Sequence, residues 1–287
     1  SKIGGIMKHL DFLKIHGIGN DFILVDGRKI NLDYKPLALK LCHRHFSIGA
    51  DGLIILENAN NYNNDYKMRI FNPDGSEAEM CGNGIRTLIH FIKYLGINNK
   101  KNYNIETKAG IIRTEVLSYN DKFSKIKVNM GKAKFHKDKI PANVDNKSEI
   151  NDHKVIINGN EVFLNSLSIG NPHTVVYVNN IDEVPLVKWG KEIENHEIFP
   201  DNTNVEFVKI INKNNLEMRV WERGVGETLA CGTGACASAV MSAKKGYTSN
   251  NVNVKLKGGN LKINLKDDII YMTGNAKLVF EGKVKIE

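Results

Sequence analysis

Two pentapeptides of one pattern, Met80-Cys81-Gly82-Asn83-Gly84 and Ala230-Cys231-Gly232-Thr233-Gly234, lie 150 residues apart in the chain. Superimposing the cysteines brings more into register. Met68-Arg69-Ile70-Phe71 falls opposite Met218-Arg219-Val220-Trp221, and Glu77 and Glu227 each stand four residues before their cysteine. Ile18-Gly19-Asn20 and Ile169-Gly170-Asn171 end 61 and 60 residues upstream of those cysteines. Spacing kept over that distance constrains the chain to two tandem copies of one domain. At 287 residues, each copy is long enough to bury its own core.

The copies share a grammar. Short β-rich runs bounded by Gly, Asn or Asp come first: Phe22–Val25, Leu53–Leu56 and Lys67–Phe71, answered by Thr174–Val178, Val205–Ile210 and Leu216–Trp221. The Cys-Gly-x-Gly turn follows, and then a helix. Ile85, Leu88, Ile89, Ile92 and Leu95 recur at helical spacing up to Gly96; Ala235–Lys245 is small and apolar up to Gly246. A helix with so little polar face predicts burial on all sides. More strands are expected at Gly110–Leu117, Lys125–Met130, Val252–Leu256, Leu261–Leu265 and Ile269–Thr273. The fold class read from this pattern is α+β: two pseudo-symmetric domains, each a curled, barrel-like, mostly antiparallel sheet around a central helix. The expected division is 1–130 with a C-terminal strand at about 276–287, carrying Cys81, and 131–275, carrying Cys231. The polar stretch Lys137–His153 reads as the connection between copies.

A cysteine at the first turn of a helix meets unpaired backbone N–H groups and the positive end of the helix dipole. Glycines let a ligand approach that backbone without a Cβ in the way. The geometry predicts a thiol drawn toward neutrality and an amide cradle for a carboxylate. One such cysteine reads as a buried structural thiol. Two at mirrored positions suit removal of a proton from one face of a tetrahedral carbon and its return on the other.

Other chemistries find little support. The charge of +8 comes from scattered lysines, with no basic stripe or recognition motif, so no nucleic acid is expected. No run approaches a membrane span. His16-Gly17-Ile18-Gly19 lacks the third glycine of a dinucleotide fingerprint and no P-loop occurs, so no cofactor is expected. Four cysteines without a C-x-x-C pair give neither a disulfide scaffold nor a zinc site. Cys42-His43-Arg44-His45 reads as a cationic helix C-terminus in preference to a metal site. Cytoplasmic localisation is the default; hydrophobic edge strands permit a homodimer without demanding one. Ser1 to Ile6 read as added residues ahead of a native Met7, a point the sequence leaves open.

His16–Phe22 (HGIGNDF), Phe71–Gly84 (FNPDGSEAEMCGNG), Ile169–His173 (IGNPH), Asn202–Phe207 (NTNVEF) and Trp221–Gly234 (WERGVGETLACGTG) closely resemble the diaminopimelate epimerase family, in family order and over nearly the whole chain. The resemblance implies a cofactor-independent enzyme interconverting LL- and meso-diaminopimelate, an isomerase of lysine and peptidoglycan precursor synthesis. It implies two β-barrel-like domains, each around a central helix, with the active site in the cleft between them. Cys81 and Cys231 would be acid and base, Cys81 donating and Cys231 accepting in one direction. Asn20, Asn72, Asn171 and Asn204 match substrate-binding asparagines. Gly82-Asn83 and Gly232-Thr233 match helix-start amides that hold a carboxylate. Glu222 and Arg223 match a pair that meets substrate amino and carboxylate groups, and His173 and Glu222 match positions that support catalysis. Where some members carry glutamine, this chain has Gly52, so a contact from that side chain is missing. Two alternatives stay open: a proline or hydroxyproline racemase-type enzyme using the same two thiols, and a non-catalytic duplicated binding module in which Cys81 and Cys231 could form a regulatory disulfide.

Overall fold

The computed structural model of the chain describes residues 9–145 and 147–286. The reading of Ser1 to Ile6 falls outside them. The chain divides into two units, one running up to Val128 and resuming at Gly274, the other Asn129–Thr273.

In the first unit the order is β1 (His9–Gly17), β2 (Asn20–Asp26), α1 (Tyr34–Leu41), β3 (Gly52–Asn58), β4 (Tyr66–Phe71), β5 (Glu77–Ala78), α2 (Gly82–Tyr94), β6 (Asn102–Thr107), β7 (Gly110–Tyr119) and β8 (Phe123–Asn129). Neighbours that follow directly in sequence pair antiparallel. The pairs β2–β3 and β4–β6 are parallel, and a helix crosses between the members of each, as parallel pairing requires. Strand β1 also pairs with the C-terminal strand, which pairs in turn with β8, so the sheet closes into a ring. Every residue of α2 from Gly82 to Ile92 is buried, and the helix touches β1, β2, β3, β4 and β7. This is the central helix. Outside the ring, Leu37, Ala38 and Leu41 of α1 pack on Ile23, Val25, Leu53 and Ile55. Both faces of β2 and β3 are therefore covered, which is why they read as unbroken apolar runs.

The second unit repeats the plan with β9 (His153–Ile157), β10 (Asn160–Ser168), β11 (Pro172–Tyr177), α3 (Leu186–Glu194), β12 (Asn204–Asn212), β13 (Asn215–Glu222), β14 (Gly226–Thr228), α4 (Gly232–Lys244), β15 (Asn251–Leu256), β16 (Gly259–Lys266) and the start of β17 (Ile269–Lys285). Again the parallel pairs, β11–β12 and β13–β15, are those spanned by helices. The extended segment 130–134 closes this ring, bonding to Ile270 at one end and to Ser168 at the other. Ala235, Cys236, Ala237, Ser238 and Ala239 of α4 are wholly buried, as small residues permit inside a narrow ring.

The repeated Arg and Glu have a structural reason. Arg69 Nε lies 2.9 Å from Glu77 Oε1 and Arg219 Nε 3.0 Å from Glu227 Oε1, each pair tying the hairpin that precedes a cysteine. Lys137–His153 differs from expectation: it buries Ile140, Ala142, Val144 and Ile150 in the second unit's core, while the chain passes between units at Val128/Asn129. The last strand runs past Thr273 to Lys285. Strands β1, β6, β9 and β10 and helix α3 carried too weak a signal to be read. Helix α3 has Pro185 at its N-cap position and no side-chain cap, so the usual start signal is missing. Strand β1 contains the buried Lys14, whose ammonium is satisfied by Asp21 at 2.7 Å and by the Gly49 carbonyl.

Gly190 on α3 packs directly under Trp221, where an added Cβ would come within 2.5 Å of the indole. Gly190→Ala should overpack that contact, costing about 1–3 kcal/mol and lowering the second unit's unfolding midpoint by roughly 3–10 °C. An unchanged thermal transition would show that α3 shifts freely on β13.

Candidate active site

Each cysteine is the N-cap of its helix. Cys81 (φ −141°, ψ 121°) and Cys231 (φ −127°, ψ 110°) are extended, and each sulfur accepts a hydrogen bond from the amide three residues on, Gly84 N at 3.4 Å and Gly234 N at 3.3 Å. A thiol here occupies the place usually taken by the oxygen of Ser, Thr or Asp. The next two amides, Gly82 and Asn83 or Gly232 and Thr233, belong to the first turn, where no intrahelical acceptor exists. The second glycine of each motif is a matter of space: a Cβ on Gly84 would sit 3.1 Å from Ile54 Cδ1, and one on Gly234 2.7 Å from Glu206 Oε1. Cys42 and Cys231 are free thiols.

In the first unit the β1–β2 hairpin turns through Ile18 (φ 48°) and Gly19 (φ 89°), both in the left-handed region that a two-residue primed turn requires. A β-branched residue there is strained, and the turn delivers Asn20 to the cysteine. Asn20 Oδ1 accepts from Cys81 Sγ at 3.6 Å and from Asn83 Nδ2 at 3.1 Å, while its Nδ2 donates to Asp51 Oδ2 at 2.8 Å. Behind this stand two supports that sequence reasoning missed. Arg44 bridges Asp21 and Asp51, at 2.7 Å from each. Burial works to raise the Asp21 carboxyl, but hydrogen bonds from Arg44 and Lys14 hold it well below the usual range. The wholly buried Arg86 donates to Asn83 Oδ1 at 2.7 Å and to the Gly82 carbonyl at 3.1 Å. An arginine next to the apolar positions Ile85, Leu88 and Ile89 of a helix expected to be buried was the available signal. Asn72 follows β4 and closes the Asn72–Ser76 loop through its backbone and its Nδ2, 3.0 Å from Ser76 Oγ.

In the second unit Asn171 follows the turn at Gly170 (φ 90°), and its Oδ1 lies 2.9 Å from His173 Nε2. His173 Nδ1 lies 2.7 Å from Oε1 of Glu206, and both side chains are fully buried. Glu206, in the Asn-Val-Glu-Phe run of β12, went unread; a carboxylate in an otherwise apolar strand was its signal. Asn204 accepts from Arg223 N at 2.9 Å and donates to the Pro172 carbonyl at 2.9 Å, so its amide ties the start of β11 to the β13–β14 turn. Within that turn Glu222 accepts from Thr228 Oγ1 at 2.5 Å, and the exposed Arg223 donates from Nη1 to the Asp201 carbonyl at 2.9 Å. Thr233 Oγ1 lies 3.6 Å from Cys231 Sγ.

The expectation of a thiol drawn toward neutrality is overturned at Cys231. Burial pushes it well above the ordinary thiol value, with Glu222 and Glu206 adding to the rise; the hydrogen bonds from Thr233 and the Gly234 amide offset only part of this. Desolvation and two carboxylates outweigh one helix start.

Each unit thus presents a sulfur at a helix start and first-turn amides able to receive an anion, and in the first unit a turn asparagine reaches the sulfur. The arrangement can hold a carboxylate and exchange a proton. Among the described residues, no group of three or more His, Cys, Asp or Glu side chains converges as metal ligands, and no helix is long and apolar enough to cross a membrane.

Comparison with known proteins bears on the whole chain. Residues 12–136 and 165–279 match the family described as diaminopimelate epimerase. The diaminopimelate epimerase of Halothermothrix orenii is 48% identical over 280 residues, covering 97% of this chain and 99% of that protein. That of Methanococcus maripaludis (strain C6) is 45% identical over 280 residues, covering 96% and 100%. Among solved structures, a Bacillus anthracis phenazine biosynthesis protein of the PhzF family aligns with TM-score 0.72 at 19% identity, covering 98% of this chain and 100% of that one. A hydroxyproline epimerase from Agrobacterium vitis aligns with TM-score 0.72 at 14% identity, covering 98% and 93%. These two structures share the fold. With a family match in both units and relatives close to half identical end to end, the chain belongs to the diaminopimelate epimerase family.

Proposed function

We propose that this chain interconverts LL- and meso-diaminopimelate by moving the Cα proton between Cys81 and Cys231. The observation that carries this reading is the equivalence of the two sulfurs, each an N-cap with the amide of its motif's second glycine donating to it. One sulfur breaks the Cα–H bond and becomes S–H. The electron pair passes into the substrate carboxylate as an enolate, and the other sulfur gives its proton to the opposite face. No electron sink is bonded to Cα, so the enolate must be met by preorganised donors, a role for the amides of Gly82, Asn83, Gly232 and Thr233. Burial and its carboxylate neighbours favour the thiol form of Cys231, which suits it to donate in one direction, and Cys81 donates in the other.

Around this centre Asn20 and Asn171 orient the substrate from mirrored turns. Glu222 meets the amino group, and Arg223 grips the distal carboxylate with a planar guanidinium fork. Asn72 and Asn204 shape the loops that carry these contacts, and His173 steadies Asn171. A substrate with two amino-acid ends favours diaminopimelate over proline, which has no second carboxylate for Arg223. The same reading puts the chain in the cytosol with a small-molecule substrate and no nucleic-acid partner; its exposed apolar strand positions leave room for a homodimer.

In D2O the enzyme should place deuterium at Cα of diaminopimelate. Cys81→Ala or Cys231→Ala should each lower kcat by roughly 10²–10⁴-fold or more; full turnover by either variant would end the two-sulfur scheme, and preferential turnover of proline would replace the substrate. Arg223→Ala should raise KM for diaminopimelate about tenfold or more, with less effect on kcat. A variant with KM unchanged would remove Arg223 from the binding set.

A further inference from the structure

Strand β12 runs parallel to β11, with Asn204 opposite His173 and Glu206 opposite Val175. That register sets the Glu206 carboxylate under the imidazole, 2.7 Å from Nδ1, while Nε2 reaches Asn171 Oδ1 at 2.9 Å. A carboxylate oxygen and an amide oxygen thus flank the two ring nitrogens. Glu206 Oε1 also lies against the first turn of α4: a Cβ placed on Gly234 would meet it at 2.7 Å and Cys231 Sγ at 3.1 Å. The second carboxylate oxygen, Oε2, is buried with no hydrogen-bond partner among the described residues. An unpartnered buried carboxylate oxygen destabilises a fold, so packing alone does not account for this residue.

We propose that Glu206 is a positioning residue for Cys231: it locks His173 and Asn171 in one hydrogen-bonding arrangement and is the fixed anion beside the sulfur. The lock points the Asn171 Oδ1 inward to the imidazole and leaves its Nδ2 to donate to a ligand. The anion is one of the two carboxylates that hold the proton on Cys231, the other being Glu222 on β13. The ring of His173 on β11 faces Glu206; Lys255, Lys262 and Lys266 on β15 and β16 are exposed. In the first unit the residue behind the turn asparagine has the opposite sign, since Arg86 backs Asn83 and, through it, Asn20. The proposal rests on Cys231 being a proton carrier, and its test has a readout that does not.

The experiment is alkylation of Cys231 by iodoacetamide across pH, followed on its own peptide by mass spectrometry, in the full chain and in Glu206→Gln. Glutamine keeps the shape and can still bond to Nδ1, but it removes the charge. The alkylation midpoint should move to lower pH by roughly half a unit or more. The corresponding limb of the kcat profile should move the same way, kcat should fall about tenfold with KM within about twofold, and the thermal midpoint should not drop. Glu206→Asp keeps the charge but draws it back by one methylene, so it should hold the alkylation midpoint nearer the parent's while losing kcat. An unmoved alkylation midpoint in Glu206→Gln, or a loss confined to thermal stability, would overturn the proposal and leave Glu206 a packing residue. Turnover retained by Cys231→Ala would instead refute the two-sulfur reaction, while the alkylation midpoint would still report on Glu206.

Discussion

An amide hydrogen bonded to a sulfur, made once at each of two helix starts, is the interaction on which both halves of this molecule depend. It selects cysteine for the cap and glycine for the residue that donates. In the first unit a hairpin turn brings Asn20 to the cap. Helix α2 is so closely wrapped that it cannot drift in its ring, every residue from Gly82 to Ile92 being covered. The sulfur is therefore held by the core as firmly as by its own hydrogen bond.

The duplication is geometric and is not carried through in charge. Behind Asn20 stand Arg86, Arg44 and Lys14, with Asp21 and Asp51 neutralised in place. Behind Asn171 stand a histidine and a glutamate, both without exposure. Two copies of one backbone have been given opposite electrostatic backing. The second sulfur is the more buried of the two and has two carboxylates near it, which favour its protonated form.

Much of this was legible before any coordinates. The tandem repeat, the two buried helices and the apolar runs of β2, β3, β11 and β12 follow from spacing and from residues that must be covered on both faces. Asn20 and Asn171 could be picked out because they recur at the same offset. What escaped were side chains whose role exists only across strands: Asp51 is 31 positions from the asparagine it supports, and Glu206 is 33 from its histidine. Local pattern holds no record of such pairings. The direction of the Cys231 shift was misread for the same reason. The helix start is visible in the pentapeptide, whereas the burial and the two carboxylates that oppose it arrive from β12 and β13. Weakly capped elements such as α3 were lost because packing on Trp221, and no terminal signal, is what defines them.

Strand β17 gives its opening residues to one unit and its remainder to the other, where it lies between β1 and β8. During synthesis, therefore, the earlier-made barrel waits with an open seam until the ribosome has delivered the whole of the later one. Order of translation and order of completion are reversed: the unit that emerges first is the last to be sealed. Until that moment β1 and β8 present bare edges, so the nascent chain carries its greatest exposure to mispairing in the portion already longest out of the tunnel.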